Sequence, residues 1–169
     1  MALNVVIMAA GKGTRMKSAL PKVLHRIAGR SLLQHVLDAA AGLNAAQTIV
    51  ITGHGAELVE AAAKSGNGVA TFVRQMPQHG TGHAVQQVVP VLDGRQSTTL
   101  ILNGDVPLIR TESARALAEA CGGEKLALLT VELGDAHGYG RIVRDTQGRA
   151  CGIVEHKDAT AAQLAIHEI

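Results

Sequence analysis

The sequence predicts an α/β fold built on a mainly parallel sheet, and three observations carry that prediction. Short β-branched runs alternate with alanine-rich amphipathic stretches, the rhythm of successive βα units. A glycine and cation loop, residues 8–22, follows directly on the apolar run Leu3-Asn4-Val5-Val6-Ile7. Turn signals at Gly53-His54-Gly55 and Asn103-Gly104-Asp105 close two further apolar runs, and in open α/β sheets ligands bind beyond such strand ends. One cleft is expected to hold all three loops.

The elements follow in order from their patterns. The first apolar run gives a strand over 3–9, and the amphipathic stretch after the cation loop gives a helix over 31–42. A strand over 47–52, a helix over 55–65 and a strand over 69–74 repeat the unit. Thr81 stands before Ala84-Val85-Gln86-Gln87-Val88-Val89, so it is read as the cap of a helix over 81–91. A strand over 98–103 and a helix over 111–121 come next, then the apolar stretch 126–133, read as a strand. The turn Gly138-Tyr139-Gly140-Arg141 opens a strand over 140–144, and 150–155 and 159–167 read as a strand and a helix.

Composition narrows the class. At 169 residues with 47% hydrophobic types, the chain can bury one sizeable core, roughly 70% of its unfolded surface. One domain over 1–169 is expected, because no repeat, low-complexity tract or proline-rich linker interrupts it. The net charge of +2, with Phe72 and Tyr139 the only Phe and Tyr and no Trp, argues against nucleic acid or a membrane surface as partner. No charged segment precedes the first apolar run, which is short and broken by Asn4, so neither a secretory signal nor a membrane span is expected and the cytoplasm is. Cys121 and Cys151 lack metal-ligand spacing and are read as buried thiols.

The loop after the first strand has the composition of an anion site. Gly11 and Gly13 let a ligand approach the backbone N–H groups, and Lys12, Arg15, Lys17 and Lys22 place cations there with no carboxylate among them. A P-loop would need a second Gly-Lys pair, and a dinucleotide fingerprint would need glycine where Met16 stands. A solvated basic turn is the bland alternative. Asp105, after Leu100-Ile101-Leu102-Asn103 and before Pro107, reads either as a Mg²⁺ ligand at a strand end or as a turn or capping aspartate. His79 and His83 have the spacing of a metal pair on a helix, but Gly80 and Gly82 argue against regular helix there.

Gly11-x-Gly13-Thr14-Arg15-Met16 with Pro21-Lys22 resembles the signature of sugar-1-phosphate nucleotidyltransferases. Further stretches narrow the resemblance: Pro21-Lys22-Val23-Leu24-His25, Gly80-Thr81-Gly82-His83-Ala84, Asn103-Gly104-Asp105-Val106-Pro107-Leu108, Gly138-Tyr139-Gly140-Arg141-Ile142, and Gly152-Ile153-Val154-Glu155-His156-Lys157-Asp158-Ala159. In order and spacing they are similar to the N-terminal uridyltransferase domain of the bacterial bifunctional enzymes that make UDP-N-acetylglucosamine for cell-wall precursors.

That resemblance implies a Rossmann-like, three-layer nucleotide-diphospho-sugar transferase fold with a mainly parallel, mixed sheet that is C-terminally incomplete. It implies Mg²⁺-dependent reaction of UTP with N-acetylglucosamine-1-phosphate. Arg15 and Lys22 are then catalytic, with Lys12 in support, and Asp105 holds the metal. Met8, Ala9, Ala10, Gly11, Lys22, Gln75, Gly80, Thr81, Asn103, Gly104, Asp105, Gly140 and Glu155 contact substrates, Gln75 reading the uracil and Gly140 and Glu155 the sugar. Without the resemblance Gln75 reads as polar surface, Gly140 as part of a turn and Glu155 as a solvated charge. Another sugar nucleotidyltransferase, or a nucleotide-binding module without turnover, stays open beside this reading.

The chain departs from the family in two places. Asn103 stands where a tyrosine often precedes the Gly-Asp pair. Family members continue past the position of Glu168-Ile169 with an Asn-Thr-Gly stretch, further strands carrying a second metal ligand, and a β-helix acetyltransferase domain. In the chain as written, acetyl transfer and the β-helix homotrimer are therefore not expected.

Overall fold

The run that opens the sequence becomes β1 (Ala2–Met8), an interior strand whose residues Asn4 to Ile7 are almost completely buried. It pairs in parallel with β4 (Gln47–Thr52) on one side and β6 (Ser97–Asn103) on the other, Met8 lying level with Ile51 and Asn103. β5 (Thr71–Arg74) adds to β4, giving the parallel order β5-β4-β1-β6. The computed structural model describes residues 2–13, 16–64, 70–92 and 97–169. Contacts divide the chain into two units, residues 1–127 and 128–169.

In the first unit, alternation along β1 sends side chains to two separate cores. Val5, Ile7 and Ala9 pack with Leu33, Val36, Leu37 and Ala40 of α1 (Leu32–Ala41), Val59 and Ala63 of α2 (Ala56–Lys64), and Ala114 of α4 (Thr111–Cys121). Val6 and Ala10 pack on the other face with Ile49, Ile51, Ala84 of α3 (Thr81–Gln86) and Val88. Helices on both faces make three layers, as β-branched strands buried on both sides require. Each fully buried aliphatic side chain contributes roughly 1.5–3 kcal/mol.

Helix α1 begins where the Ser31 hydroxyl accepts the Gln34 N–H at 3.1 Å, and it buries positions at helical spacing. Helix α4 is tied to it by Thr111 Oγ1 donating to Ala39 O at 2.9 Å and Arg115 Nη2 donating to Gly42 O at 2.7 Å. A small antiparallel pair, β2 (Arg26–Ile27) with β3 (Arg30–Ser31), precedes α1. The helix expected over 81–91 ends at Gln86. Val88 N–H turns to Val85 O at 3.0 Å, and Pro90, which has no N–H to donate, sits in a 3-10 turn over Val89–Val91.

The second unit is a hairpin with a short helix. β7 (Arg141–Arg144) pairs antiparallel with β8 (Ala150–Val154), so the antiparallel pairing expected of a mixed sheet lies outside the four-stranded one. α5 (Ala161–Leu164) starts with a capping box between Thr160 and Gln163. It is shorter than the expected 159–167 because His167 and Ile169 leave the helix to pair with Leu133 and Val131. For the same reason the strand expected over 126–133 is realised only as an isolated bridge between Glu132 and Glu168. Residues 126–130 find no ladder partner among the described residues, and a strand without a partner does not persist. Cys121 and Cys151 are free thiols, but Cys151 is exposed and Cys121 half-buried, not enclosed. Among the described residues no helix is long and apolar enough to cross a membrane.

Glu168 is the electrostatic anchor of the second unit. Arg144 Nη2 donates to Oε1 at 2.6 Å and Nε to Oε2 at 2.7 Å, with Thr130 Oγ1 on Oε1 at 2.7 Å. Arg144 first, and Thr130 after it, pull the Glu168 carboxyl down to about 2 from 4.5. A carboxyl so depressed stabilises fully above about pH 4.5, and that contribution is lost as pH falls towards 2. Hydrogen exchange across residues 128–169 between pH 5 and 2 is expected to show this loss, and Glu168→Gln to abolish it. In the first unit, Ile7→Ala is expected to cost about 2–5 kcal/mol in urea unfolding. Ile101→Ala, at an exposed position of β6, is expected to stay within about 0.5 kcal/mol.

Candidate active site

The site starts where β1 ends. Met8 O accepts the Gly104 N–H at 2.9 Å, Ala9 N–H donates to Ile51 O at 2.8 Å, and Ala10 O accepts the Gln78 Nε2–H at 2.6 Å and the His54 N–H at 3.4 Å. The segments leaving β4, β5 and β6 are thus tied to the segment leaving β1. Two glycines make this possible. A Cβ on Gly104 would lie 2.9 Å from Met8 O, and one on Gly53 would lie 2.5 Å from Gln78 Nε2 and 3.0 Å from Ala10 O. Gly53-His54-Gly55 therefore braces the loop from behind and does not line the cleft.

Above these ties lies a cavity of about 570 Å³. It sits over the carboxyl ends of β1 and β6, where the chain, having added β4 and β5 on one side, turns to the other; this is the switch point at which open α/β sheets bind ligands. Of the residues expected from sequence, Met8, Ala9, Ala10, Gly11, Lys12, Lys22, Gln75, Gly80, Thr81, Asn103 and Asp105 all line it. Gly104 does not; it is buried beneath, spending its N–H on Met8. Arg15 and Thr14 lie outside the described residues. Lys17 is exposed and is not part of the lining.

Lys22 opens a 3-10 turn, Lys22–Leu24, anchored by buried Val23. Its Nζ meets the Asp105 carboxylate at 2.5 Å, with both side chains partly exposed. Solvent limits such a pair to about 1 kcal/mol or less of stability, so its significance is positional: a cation and a hard oxygen donor share one wall. Among the described residues Asp105 is the only acid in the lining.

Another part of the lining is polar, with Gln75 buried and Gly80 and Thr81 exposed. Gln75 donates its backbone N–H to Thr52 O at 2.8 Å, and its side-chain Nε2 reaches Gly80 O at 2.8 Å and His83 Nδ1 at 3.2 Å. It is 3% exposed, so the sequence-only reading as polar surface is corrected. Thr81 is the first residue of α3 and not its cap; Gly80 holds that position, and no side chain caps the helix. The His79 and His83 rings lie 5.2 Å apart and tilted.

Sequence reasoning missed Gln78, which pins Ala10 and lines the cavity; nothing in its spacing sets it apart from other loop glutamines. Met16, Val23 and Ala84 supply apolar wall. In the second unit, Gly140 precedes β7 and Glu155 follows β8, and the Arg141–Val154 register sets them opposite each other at one end of the hairpin.

Residues 5–150 match the model of the MobA-like NTP transferase domain. Two proteins named bifunctional protein GlmU, from Methylibium petroleiphilum and Paracidovorax citrulli, are 64% and 62% identical over 99% of this chain. The chain spans 37% and 36% of their lengths. A solved structure of UDP-glucose pyrophosphorylase complexed with UDP-glucose matches 99% of this chain and 73% of its own, with a TM-score of 0.74 at 15% identity. The fold is thus that of the Rossmann-like nucleotide-sugar transferases.

Gly53→Ala is expected to dislodge Gln78 from Ala10, costing about 1 kcal/mol and speeding hydrogen exchange across residues 9–13. Gly104→Ala is expected to cost more, about 1–3 kcal/mol, because its Cβ meets a strand carbonyl and not the end of a flexible side chain.

Proposed function

Because this chain belongs to the MobA-like NTP transferase family, we propose that it joins UTP to N-acetylglucosamine-1-phosphate, forming UDP-N-acetylglucosamine and pyrophosphate. The observation that carries the reading is the single cavity gathering the 8–13 loop, Lys22, Asp105 and the Gln75–Gly80–Thr81 wall. In the reaction a phosphate oxygen of the sugar phosphate attacks the α-phosphorus of UTP. A new P–O bond forms as the bond to the bridging oxygen breaks, and pyrophosphate carries that electron pair away. The attacking group is already an anion, so no protein nucleophile is needed. The work of the protein is to position two anions and offset their repulsion.

Lys22 faces the triphosphate and Lys12 supports it, both from the cavity lining, and Arg15, outside the described residues, is given the same charge-offsetting role. The N–H groups of residues 10–13 donate to nucleotide oxygens. Gln75 and the Gly80-Thr81 pair take the base. Gly140 and Glu155 take the sugar, a carboxylate accepting from neighbouring hydroxyls. Asp105 suits Mg²⁺, since one hard carboxylate oxygen at a strand end leaves the remaining positions for water and phosphate. That ion, when bound, would lower the charge that the two substrates present to each other. The activity belongs in the cytoplasm, where nucleoside triphosphates are available.

A second reading is a nucleotide-binding unit without turnover, which uses the same cavity and lining. Pyrophosphate release from UTP with Mg²⁺ and N-acetylglucosamine-1-phosphate separates the two. The expected result is release confined to that substrate pair, with kcat/KM lowered about 10²–10³-fold in Lys22→Ala and release lost in Asp105→Ala. UTP binding without release supports the second reading, and full turnover in Lys22→Ala overturns the first.

A further inference from the structure

The carboxamide of Gln75 is held in one orientation, and the atom that completes the hold belongs to a residue with no role in the reading above. Gly80 O, 2.8 Å from Gln75 Nε2, accepts one of its N–H bonds. Turning the amide over would set oxygen against oxygen. The second N–H of the same nitrogen points to His83 Nδ1 at 3.2 Å. Both N–H bonds are therefore spent within the protein, and what Gln75 has left for the cavity it lines is Oε1, an acceptor only.

The His83 ring has amide nitrogens at both ends, Gln75 Nε2 at Nδ1 and Gln87 Nε2 at its own Nε2, 3.1 Å away. A neutral imidazole accepts at one nitrogen and donates at the other. Gln75 is buried and held by Gly80 O at 2.8 Å, whereas Gln87, just past α3 and only partly buried, donates to His83 O at a longer 3.2 Å, so Gln87 is the one that gives up its bond and turns to present its oxygen. The ring is thus the Nε2–H tautomer with Nδ1 as the bare acceptor.

We propose that His83 is a positioning residue for base selection: its Nδ1 fixes the Gln75 carboxamide so that Oε1 faces the nucleotide base. An acceptor there pairs with the imide N–H of uracil and opposes the bare ring nitrogen that cytosine carries at the same place. Loss of the His83 acceptor removes one of the two bonds that hold the amide, so turning it over to meet cytosine then gives up only the Gly80 bond and the preference for uracil weakens. The proposal deepens the uridine reading of this cavity and rests on it.

The test is equilibrium binding of UTP and of CTP to the 169-residue chain and two variants. His83→Asn keeps an amide oxygen where Nδ1 stands; His83→Gln carries its amide farther out, where Nε2 stands, and leaves a methylene in place of Nδ1. The UTP-to-CTP affinity ratio is expected to survive in His83→Asn and to fall about tenfold in His83→Gln, the scale of one hydrogen bond to a polar group. A wild-type preference for UTP that both variants keep, or both lose alike, overturns the proposal and leaves the uridine reading standing. Equal wild-type affinities overturn that reading and the proposal with it. Nitrogen NMR of the unliganded wild type gives a check that needs no variant: a protonated Nδ1 overturns the proposal, and a bare Nδ1 beside a protonated Nε2 is the expected result.

Discussion

The carbonyl oxygens of Met8 and Ala10 hold the site together. β1 is enclosed by strands on both sides and helices on both faces, so its end is a fixed reference. Gly104 N–H, Gln78 Nε2–H and His54 N–H hydrogen bond to those two carbonyls, referring the exits of β6, β5 and β4 to that one point. Buried carbonyls that lacked such partners would carry a desolvation cost. The bonds that satisfy them also set the width of the cleft, and Gly53 and Gly104 are the places where only a hydrogen atom fits between the crossing segments.

On that frame the two walls differ in character. The Lys22–Asp105 wall is partly open to water, so its charges escape the penalty of being buried alone. In the Gln75 wall the carboxamide is buried, and its nitrogen is directed to Gly80 O and His83 Nδ1. A solvated charged wall suits ligands recognised by charge, and a buried patterned wall suits one recognised by the arrangement of its hydrogen bonds. A nucleoside triphosphate has both kinds of end.

The second unit solves a separate problem with local means. A tight hairpin, a capping box and the Arg144–Glu168–Thr130 cluster order a short stretch with little enclosed apolar surface. The hairpin sets Gly140 and Glu155 opposite one another, a pairing decided by register and not by proximity in sequence.

The parallel core was legible in the sequence because its signals are local and dense. β-branched runs buried on both faces, helical spacing in 32–41 and 111–121, and the glycine and cation loop after Ile7 each carry their own physical reason. That the loop and Asp105 gather at strand ends was legible for the same cause: glycines, cations and a carboxylate directly after apolar runs are local features. The stretch 126–133 and the helix over 159–167 were misread because their state depends on a partner distant in sequence, and 131–133 and 167–169 choose each other. Gln78, the burial of Gln75 and the brace at Gly53 carry no local mark. So the sequence by itself determined which elements form around β1 and which chemical groups sit at their ends, since those follow from side-chain pattern alone. Tertiary structure decided which of those groups face the cavity and which are spent holding it open, because hydrogen bonds between segments dozens of residues apart exist only once the sheet has set its register.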